Sequence, residues 1–157
     1  MPITTTYNPE QFLTTSKSIL QEWLIDYIGD VDITFEIPFL DESVGIVRPI
    51  LYLELMPGSD KPMGLGKVRN STTKGHIYKI EFMGSWIVNN SVGGAPKAHE
   101  LGQNLYFNFL EYGYLLGVAK LKNPRCSTYR DIPKSSYSEF FGGRHLITFD
   151  VEVYYTG

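Results

Sequence analysis

The sequence predicts a single α+β domain, in which a mainly antiparallel twisted sheet carries an N-terminal helix and a second helix on one face. Three features support this fold: an apolar stripe with helical spacing near the N-terminus, several segments in which apolar and polar residues alternate, and a second helical stripe after residue 96. The length of 157 residues suits one domain with one core. We therefore expect residues 1–157 to fold as a unit.

The first helix is predicted to begin at Pro9 and to end before Gly29. Asn8 is a suitable N-cap, and proline is favoured at the first helical position. Glycine is typical just after the end of a helix. The apolar residues between these signals recur at spacings of three and four: Phe12, Leu13, Ile19, Leu20, Trp23, Leu24, Tyr27 and Ile28. This stripe needs another layer of structure to cover it.

Four segments alternate apolar and polar residues with the period of two that is typical of strands with one buried face. They cover residues 31–37, 50–56, 76–89 and 146–155. Residues 126–131 could form a further short strand, and residues 133–143 are predicted to be a polar and aromatic loop. These strands supply the sheet on which the first helix packs.

Residues 57–75 are predicted to form a long loop or an extended hairpin arm. They contain four glycines and two prolines and show little periodicity. Loops longer than about 12–15 residues are uncommon inside compact domains and are usually functional or disordered. We expect this arm to be poorly ordered in the free subunit and ordered by partners. The candidate partner contacts in it are Met63, Leu65, Lys67 and Arg69.

A second helix is predicted to begin at Pro96. Its apolar residues follow helical spacing: Ala98, Leu101, Leu105, Phe109, Tyr112 and Leu116. Gly102, Gly113 and Gly117 each weaken a helix by about 1 kcal/mol relative to alanine. We expect this helix to break or fray toward its end.

Composition argues against several classes of function. The net charge of −3, without a run of lysines or arginines, disfavours tight nucleic-acid binding. Cys126 is the single cysteine, so neither an intrachain disulfide nor a thiolate metal cluster is expected, as in proteins of a reducing cytoplasm. No segment approaches the roughly 18 apolar residues of a membrane span, and the N-terminus lacks signal-peptide features. We expect a soluble protein without membrane association.

The residues that carry enzyme chemistry form no known constellation in the sequence. His76, His99 and His145 share no metal-ligand spacing. Cys126 could act as a nucleophile only if a histidine lay against it, and nothing near it in sequence indicates a lowered thiol pKa. The glycines of residues 63–67 match neither phosphate-loop pattern. We expect no enzyme activity, no metal and no cofactor.

Acidic residues recur on the polar side of the predicted strands: Asp32, Glu36, Glu54, Glu81, Asp150 and Glu152. One interpretation is an ordinary solvated outer face, because half-buried antiparallel sheets alternate in this way. The other is the wall of a channel that carries DNA, where like charge discourages binding. The eleven tyrosines and nine phenylalanines likewise either fill strands or provide a surface for protein contacts.

The order of these elements resembles the tail terminator, or tail completion, proteins of long-tailed bacteriophages. The resemblance covers the helix to Ile28, the strand at residues 31–37, the strand through Trp86, the helix after Pro96 and the C-terminal segment FGGRHLITFDVEV at residues 141–153. The C-terminal segment is most similar to the family. It is a similarity of element order and length rather than of an invariant motif.

The resemblance implies a structural virion protein of the neck, made in the host cytoplasm. Such a protein would form a homo-oligomeric ring of six subunits that caps the tail tube protein, docks the head-closure or connector protein and lets DNA pass without specific binding. It implies no enzyme activity. The arm would reach neighbouring subunits, and the acidic face would border the DNA passage.

Two alternatives remain open. Another neck or tube component, such as a head-closure or tail-tube subunit, would have a similar size and similar partners, and a tube subunit would polymerise alone. A small ligand-binding or enzymatic α+β domain would instead show a deep polar pocket containing His76 or His145.

Overall fold

The computed structural model describes residues 9–36, 48–59, 62–67, 73–132 and 140–156. These ranges contain helices α1 (Pro9–Ile28), α2 (Gly94–Tyr112) and α3 (Tyr114–Val118). They also contain strands β1 (Asp32–Thr34), β2 (Ile50–Leu55), β3 (Pro62–Lys67), β4 (Thr73–Asn89), β5 (Lys122–Cys126), β6 (Arg130–Ile132) and β7 (Phe140–Thr156). None of the helices in these ranges is sufficiently long and apolar to span a membrane.

The strands form one mixed, mostly antiparallel sheet. Its order is β1-β2-β4-β7-β5, with β3 paired beside β4 and β6 paired beside β7. Only the β1–β2 pair is parallel among the strand pairs of the described residues. The two longest strands form the centre, with Thr73 opposite Thr156 and Asn89 opposite Phe140. The predicted α+β fold is confirmed.

The core lies between one face of the sheet and the helices. Alternate residues of β4 and β7 point to this side and are buried: Tyr78, Ile80, Phe82, Trp86, Val88, Ile147, Phe149 and Val151. From α1, Phe12 places its ring centroid 4.3 Å from that of Tyr78. The residues between the buried ones lie on the opposite, open face and are exposed or half-buried, Lys79 and Ile87 among them.

Aromatic side chains join α1 to α2. The rings of Trp23 and Phe109 lie 4.6 Å apart, and those of Tyr27 and Tyr112 stack at 4.8 Å. Trp23 Nε1 also donates a hydrogen bond to the Tyr112 carbonyl oxygen at 3.1 Å, and Asn108 Nδ2 donates to the Tyr27 carbonyl oxygen at 2.7 Å. The two acceptor carbonyls lie at the C-terminal ends of α1 and α2, so these hydrogen bonds fix the packing of the two helices against each other.

The first strand is shorter than its alternation predicts. Thr34 Oγ1 accepts a hydrogen bond from the Glu36 N–H at 3.1 Å and donates to the Glu36 carbonyl at 3.0 Å. The Thr34 hydroxyl takes the place of hydrogen-bond partners from a neighbouring strand, and the chain bends after Thr34. The prediction that Glu36 lies in a strand is therefore wrong, while Ile37 falls outside the described residues.

The predicted arm is a hairpin in its described part. Strand β3 pairs antiparallel with the first half of β4, with Lys67 opposite Lys74 and a register irregularity between Pro62 and Gly64. The strand predicted to begin at residue 76 accordingly begins at Thr73. Residues 60–61 and 68–72, which include Arg69, fall outside the described ranges.

Three further boundaries differ from prediction. Helix α2 begins at Gly94 rather than at Pro96, because Gly93 adopts a left-handed φ of 115° and turns the chain earlier. The predicted strand at 126–131 is split into β5 and β6. The predicted loop at 133–143 ends in strand, since β7 begins at Phe140, and residues 133–139 lie outside the described ranges.

Candidate functional site

The strand register places five of the six singled-out carboxylates on the open face of the sheet. Residues directly opposite each other on neighbouring strands share a face. Asp32 is opposite Ile50, Glu54 is opposite Met83, and Glu81 is opposite Thr148. The other two are Asp150 and Glu152. Glu36 is exposed but lies beyond the end of β1.

The open face also carries cationic side chains, so its charge is mixed. Lys79 lies directly opposite Asp150, and Lys122 lies opposite Asp150 from the other side. Three ion pairs involve these charges: Lys79 to Glu81 at 3.6 Å, Lys122 to Glu152 at 3.0 Å and Arg48 to Asp32 at 3.8 Å. Such partly exposed pairs contribute about 0–1 kcal/mol each. The sheet face is therefore not the continuous acidic surface that alternation alone suggests.

The arm residues lie on β3 where the structure describes them. Met63, Leu65 and Lys67 belong to this strand, and Leu65 is opposite His76 on β4. Within the described residues β3 pairs only with β4. Strand edges of this kind can accept a further strand.

An apolar stripe that the sequence analysis overlooked runs along the outer side of α2 and α3. The outer stripe consists of Phe107, Leu110, Tyr114 and Val118, which are 58%, 66%, 65% and 74% exposed. Their spacing of three, four and four residues keeps them on one side. Gly113 between the helices has φ −59° and ψ −28°, so the helical path continues across it. This spacing is visible in the sequence beside the apolar residues that were predicted to face the core, so the outer stripe could have been predicted as well.

A thiol and an imidazole meet beneath the sheet edge. Cys126 Sγ lies 3.7 Å from His145 Nδ1, and that nitrogen lies 3.0 Å from the carbonyl oxygen of Ser127. Since a carbonyl only accepts, Nδ1 carries the proton, and Nε2 is left buried without a hydrogen-bond partner in the described part of the chain. No local pattern predicts this contact, because Cys126 and His145 lie on separate strands, β5 and β7.

Burial keeps both groups neutral. It raises the pKa of the Cys126 thiol to about 12. Burial also lowers the pKa of His145, against the opposing effect of its hydrogen bond to the Ser127 backbone. A nucleophilic cysteine needs the opposite shifts, toward thiolate and imidazolium. The pair therefore lacks the electrostatics of an activated nucleophile.

An open cleft of about 370 Å³ lies on the sheet near this pair. Its described lining consists of Met83, Ser127, Thr128, Arg130, Arg144, His145 and Leu146. The Cys126 thiol is not part of that lining. The cleft thus offers arginines and hydroxyls to a ligand, but no activated nucleophile.

The described ranges hold no group of three or more His, Cys, Asp or Glu residues arranged to bind a metal ion. Comparison with protein-family models finds no match to this chain. A search of curated protein sequences finds no significant similarity either. Functional inference consequently depends on the surfaces described above.

Proposed function

We propose that this chain is a structural virion protein, a tail terminator whose copies form a ring of six subunits. The ring would cap the tail tube, join it to the head-closure or connector protein and let DNA pass through its centre. Resemblance in element order supports the assignment to this class. The outer stripe, Phe107, Leu110, Tyr114 and Val118, is the observation that carries the assembly part of the proposal.

The outer stripe favours association because it keeps four large apolar side chains in water. Contiguous exposed apolar patches on soluble proteins commonly mark contact sites. Full burial of one such side chain stabilises by about 1.5–3 kcal/mol. Four of them supply a free energy comparable with the roughly 4–15 kcal/mol that association costs. A ring also needs a second, different surface on each subunit, because its contacts are head-to-tail.

The part of the open face around Lys79, Lys122 and Glu54 supports the passage of DNA without strong binding. Lys79 and Lys122 already have carboxylate neighbours, so a passing phosphate would compete with those carboxylates for each cation. Glu54 is exposed on the same face and would repel phosphate. These charges suit a channel wall without requiring a purely acidic surface, whereas Arg130 and Arg144 at one end of the face have no carboxylate partner among the described residues.

Native mass spectrometry of the purified protein, with electron microscopy of the particle, tests the proposal. We expect a discrete oligomer, and we expect Leu110→Asp to shift it toward monomer by placing a charge in the outer stripe. Ser18→Asp adds the same charge at an exposed position of α1 and serves as the matched control. A strict monomer at high concentration that is also absent from larger particles would contradict the ring.

Assembly also separates the alternatives. A tail-tube subunit would polymerise alone into tubes, whereas a terminator stops at one ring. A ligand-binding domain is favoured only by the cleft that His145 lines. That cleft is open, and the neighbouring thiol is neutral at physiological pH. A structural role therefore remains the proposal.

A further inference from the structure

Two arginines lie directly opposite each other at one end of the open face. Arg130 on β6 is the cross-strand neighbour of Arg144 on β7, and both side chains are exposed. Neither has an ion-pair partner among the described residues. Like charges directly opposite each other on neighbouring strands are destabilising. Retaining two guanidinium groups in this arrangement points to an anion that binds between them.

The cleft beside this pair has a fixed wall and a partly apolar lining. Ser127 donates its N–H to the Leu146 carbonyl at 2.9 Å, and its Oγ accepts the Leu146 N–H at 2.7 Å. These two bonds hold the segment after β5 against β7. Met83 and Leu146 line the same cleft and are half-buried. A ligand that fits must therefore combine an anionic group with an apolar part.

We propose that this cleft binds an acidic side chain from a protein partner. The guanidinium groups of Arg130 and Arg144 hold the carboxylate, and Met83 and Leu146 contact an adjoining apolar residue of the partner. Guanidinium groups match the two oxygens of a carboxylate and form stronger hydrogen bonds than neutral donors do. This site is independent of the outer stripe, which lies on the helical side of the sheet.

A nucleic-acid ligand fits the same charges less well. Proteins that bind DNA through its backbone commonly neutralise about 6–10 phosphates, whereas the cleft offers two arginines. Glu54 is exposed on the same face, opposite the cleft residue Met83, and would repel a neighbouring phosphate. A carboxylate meets the same repulsion as one phosphate, but it does not bring the further phosphates of a nucleic-acid strand past Glu54.

Nuclear magnetic resonance titration tests the site on the full chain, with the arginine side-chain Nε–H signals as the readout. The probes are N-acetyl-Leu-Glu-Leu-amide, its Gln counterpart, inorganic phosphate and a short single-stranded DNA. We expect the Glu peptide to bind about tenfold more tightly than the Gln peptide, the ratio typical of a charged hydrogen bond. Arg130→Gln and Arg144→Gln should each weaken it by a similar factor. Arg125→Gln, exposed opposite Thr148 and outside the cleft lining, should not.

Stability of the free protein separates a binding role from a structural one. Because each substitution removes like-charge repulsion, Arg130→Gln and Arg144→Gln should melt at or above the wild-type temperature. A lower melting temperature in both would overturn the proposal. Equal binding of the Glu and Gln peptides would also overturn it, as would tighter binding of phosphate or DNA than of the Glu peptide.

Discussion

At the scale of single residues, the ring of Tyr129 occupies space that two glycines leave open. Gly102 on α2 and Gly143 on β7 approach this ring so closely that a Cβ on either would overlap its atoms. The Tyr129 ring therefore packs directly against the backbone of α2 at Gly102 and the backbone of β7 at Gly143. Helix propensity alone marks Gly102 only as a weak point of the helix, because Tyr129, whose ring needs the space, lies 27 residues later.

Alanine at two helical glycines should have opposite effects. Gly102→Ala is expected to lower the free energy of unfolding by about 1–3 kcal/mol, since the methyl group overpacks the Tyr129 contact. Gly117→Ala on α3 meets no atom within 4 Å and should stabilise by up to about 1 kcal/mol through helix propensity. Urea unfolding of both variants decides the matter. The packing argument fails if Gly102→Ala is as stable as the wild type.

Burial of His145 makes stability depend on pH. Desolvation lowers the pKa of His145 in the folded state, whereas in the unfolded chain this histidine has its ordinary pKa of about 6.5. The unfolded state therefore binds more protons as pH falls below about 6.5, and the free energy of unfolding decreases. We expect urea unfolding between about pH 7 and pH 5 to show this loss, above the range where carboxylates titrate.

His145→Asn removes the titrating ring but keeps a donor for the Ser127 carbonyl. The free energy of unfolding of this variant should therefore decrease less between pH 7 and pH 5 than that of the wild type. Cys126→Ala is the matched control from the same contact. Its thiol has a pKa of about 12 and stays neutral throughout this range, so the variant should retain the wild-type slope. A wild type whose stability does not change between pH 7 and pH 5 would contradict the assignment.

At the scale of elements, the periodicity of apolar residues predicted those helices and strands whose pattern is visible in the local sequence. The stripe of α1 and the alternation of β2, β4 and β7 identified these elements because one face of each is buried. Strand β3 was predicted only as one alternative, a hairpin arm instead of a long loop, since its glycines carry no pattern and its strand structure comes from pairing with β4. The pairing of Arg130 with Arg144 and the contact of Cys126 with His145 depend on long-range register, which no local pattern reveals.

One hydroxyl makes a hydrogen bond to β7 at the break between β5 and β6. Ser127 Oγ accepts the Leu146 N–H at 2.7 Å, in place of a backbone carbonyl. Ser127→Ala should lower the free energy of unfolding by about 0.5–1.5 kcal/mol, the usual net value of a hydrogen bond. Thr128→Ala removes the neighbouring exposed hydroxyl and should cost less. Thermal unfolding compares the two, and equal losses would contradict a stabilising role for the hydrogen bond from Leu146 to Ser127.

At the scale of the whole molecule, the outer stripe and the arginine cleft lie on opposite sides of the sheet. One is carried by α2 and α3, and the other opens on the face without those helices. A subunit with two different contact surfaces can meet neighbours head-to-tail. Leu110→Asp should therefore reduce assembly without changing binding of the Glu peptide to the cleft. Peptide titration of the monomeric variant checks this, and loss of both properties together would show that the two surfaces are not independent.

Charge on the open face governs which substitutions can test DNA passage. The alternation in the sequence predicts that Asp150 and Glu152 are exposed, and replacing exposed strand residues with lysine usually changes the free energy of unfolding by only about 0.5 kcal/mol. The structure changes this expectation. Both residues are half-buried, and each has a lysine neighbour. The double variant would place two new lysines beside Lys79 and Lys122 and destabilise the sheet by like-charge repulsion. That loss of stability would obscure any effect on DNA delivery.

Glu54 gives a cleaner test of the channel proposal. It is exposed on the open face and has no ion-pair partner among the described residues, so Glu54→Lys should change the free energy of unfolding by only about 0.5 kcal/mol. A new cation there would attract phosphate across roughly the 8–10 Å over which charges act at physiological salt. We expect particles carrying this variant to assemble normally but to deliver DNA less efficiently. Glu22→Lys, an exposed change of the same charge on α1, should deliver normally. If both variants deliver DNA as the wild type does, the open face does not border the passage, even where the ring itself is present.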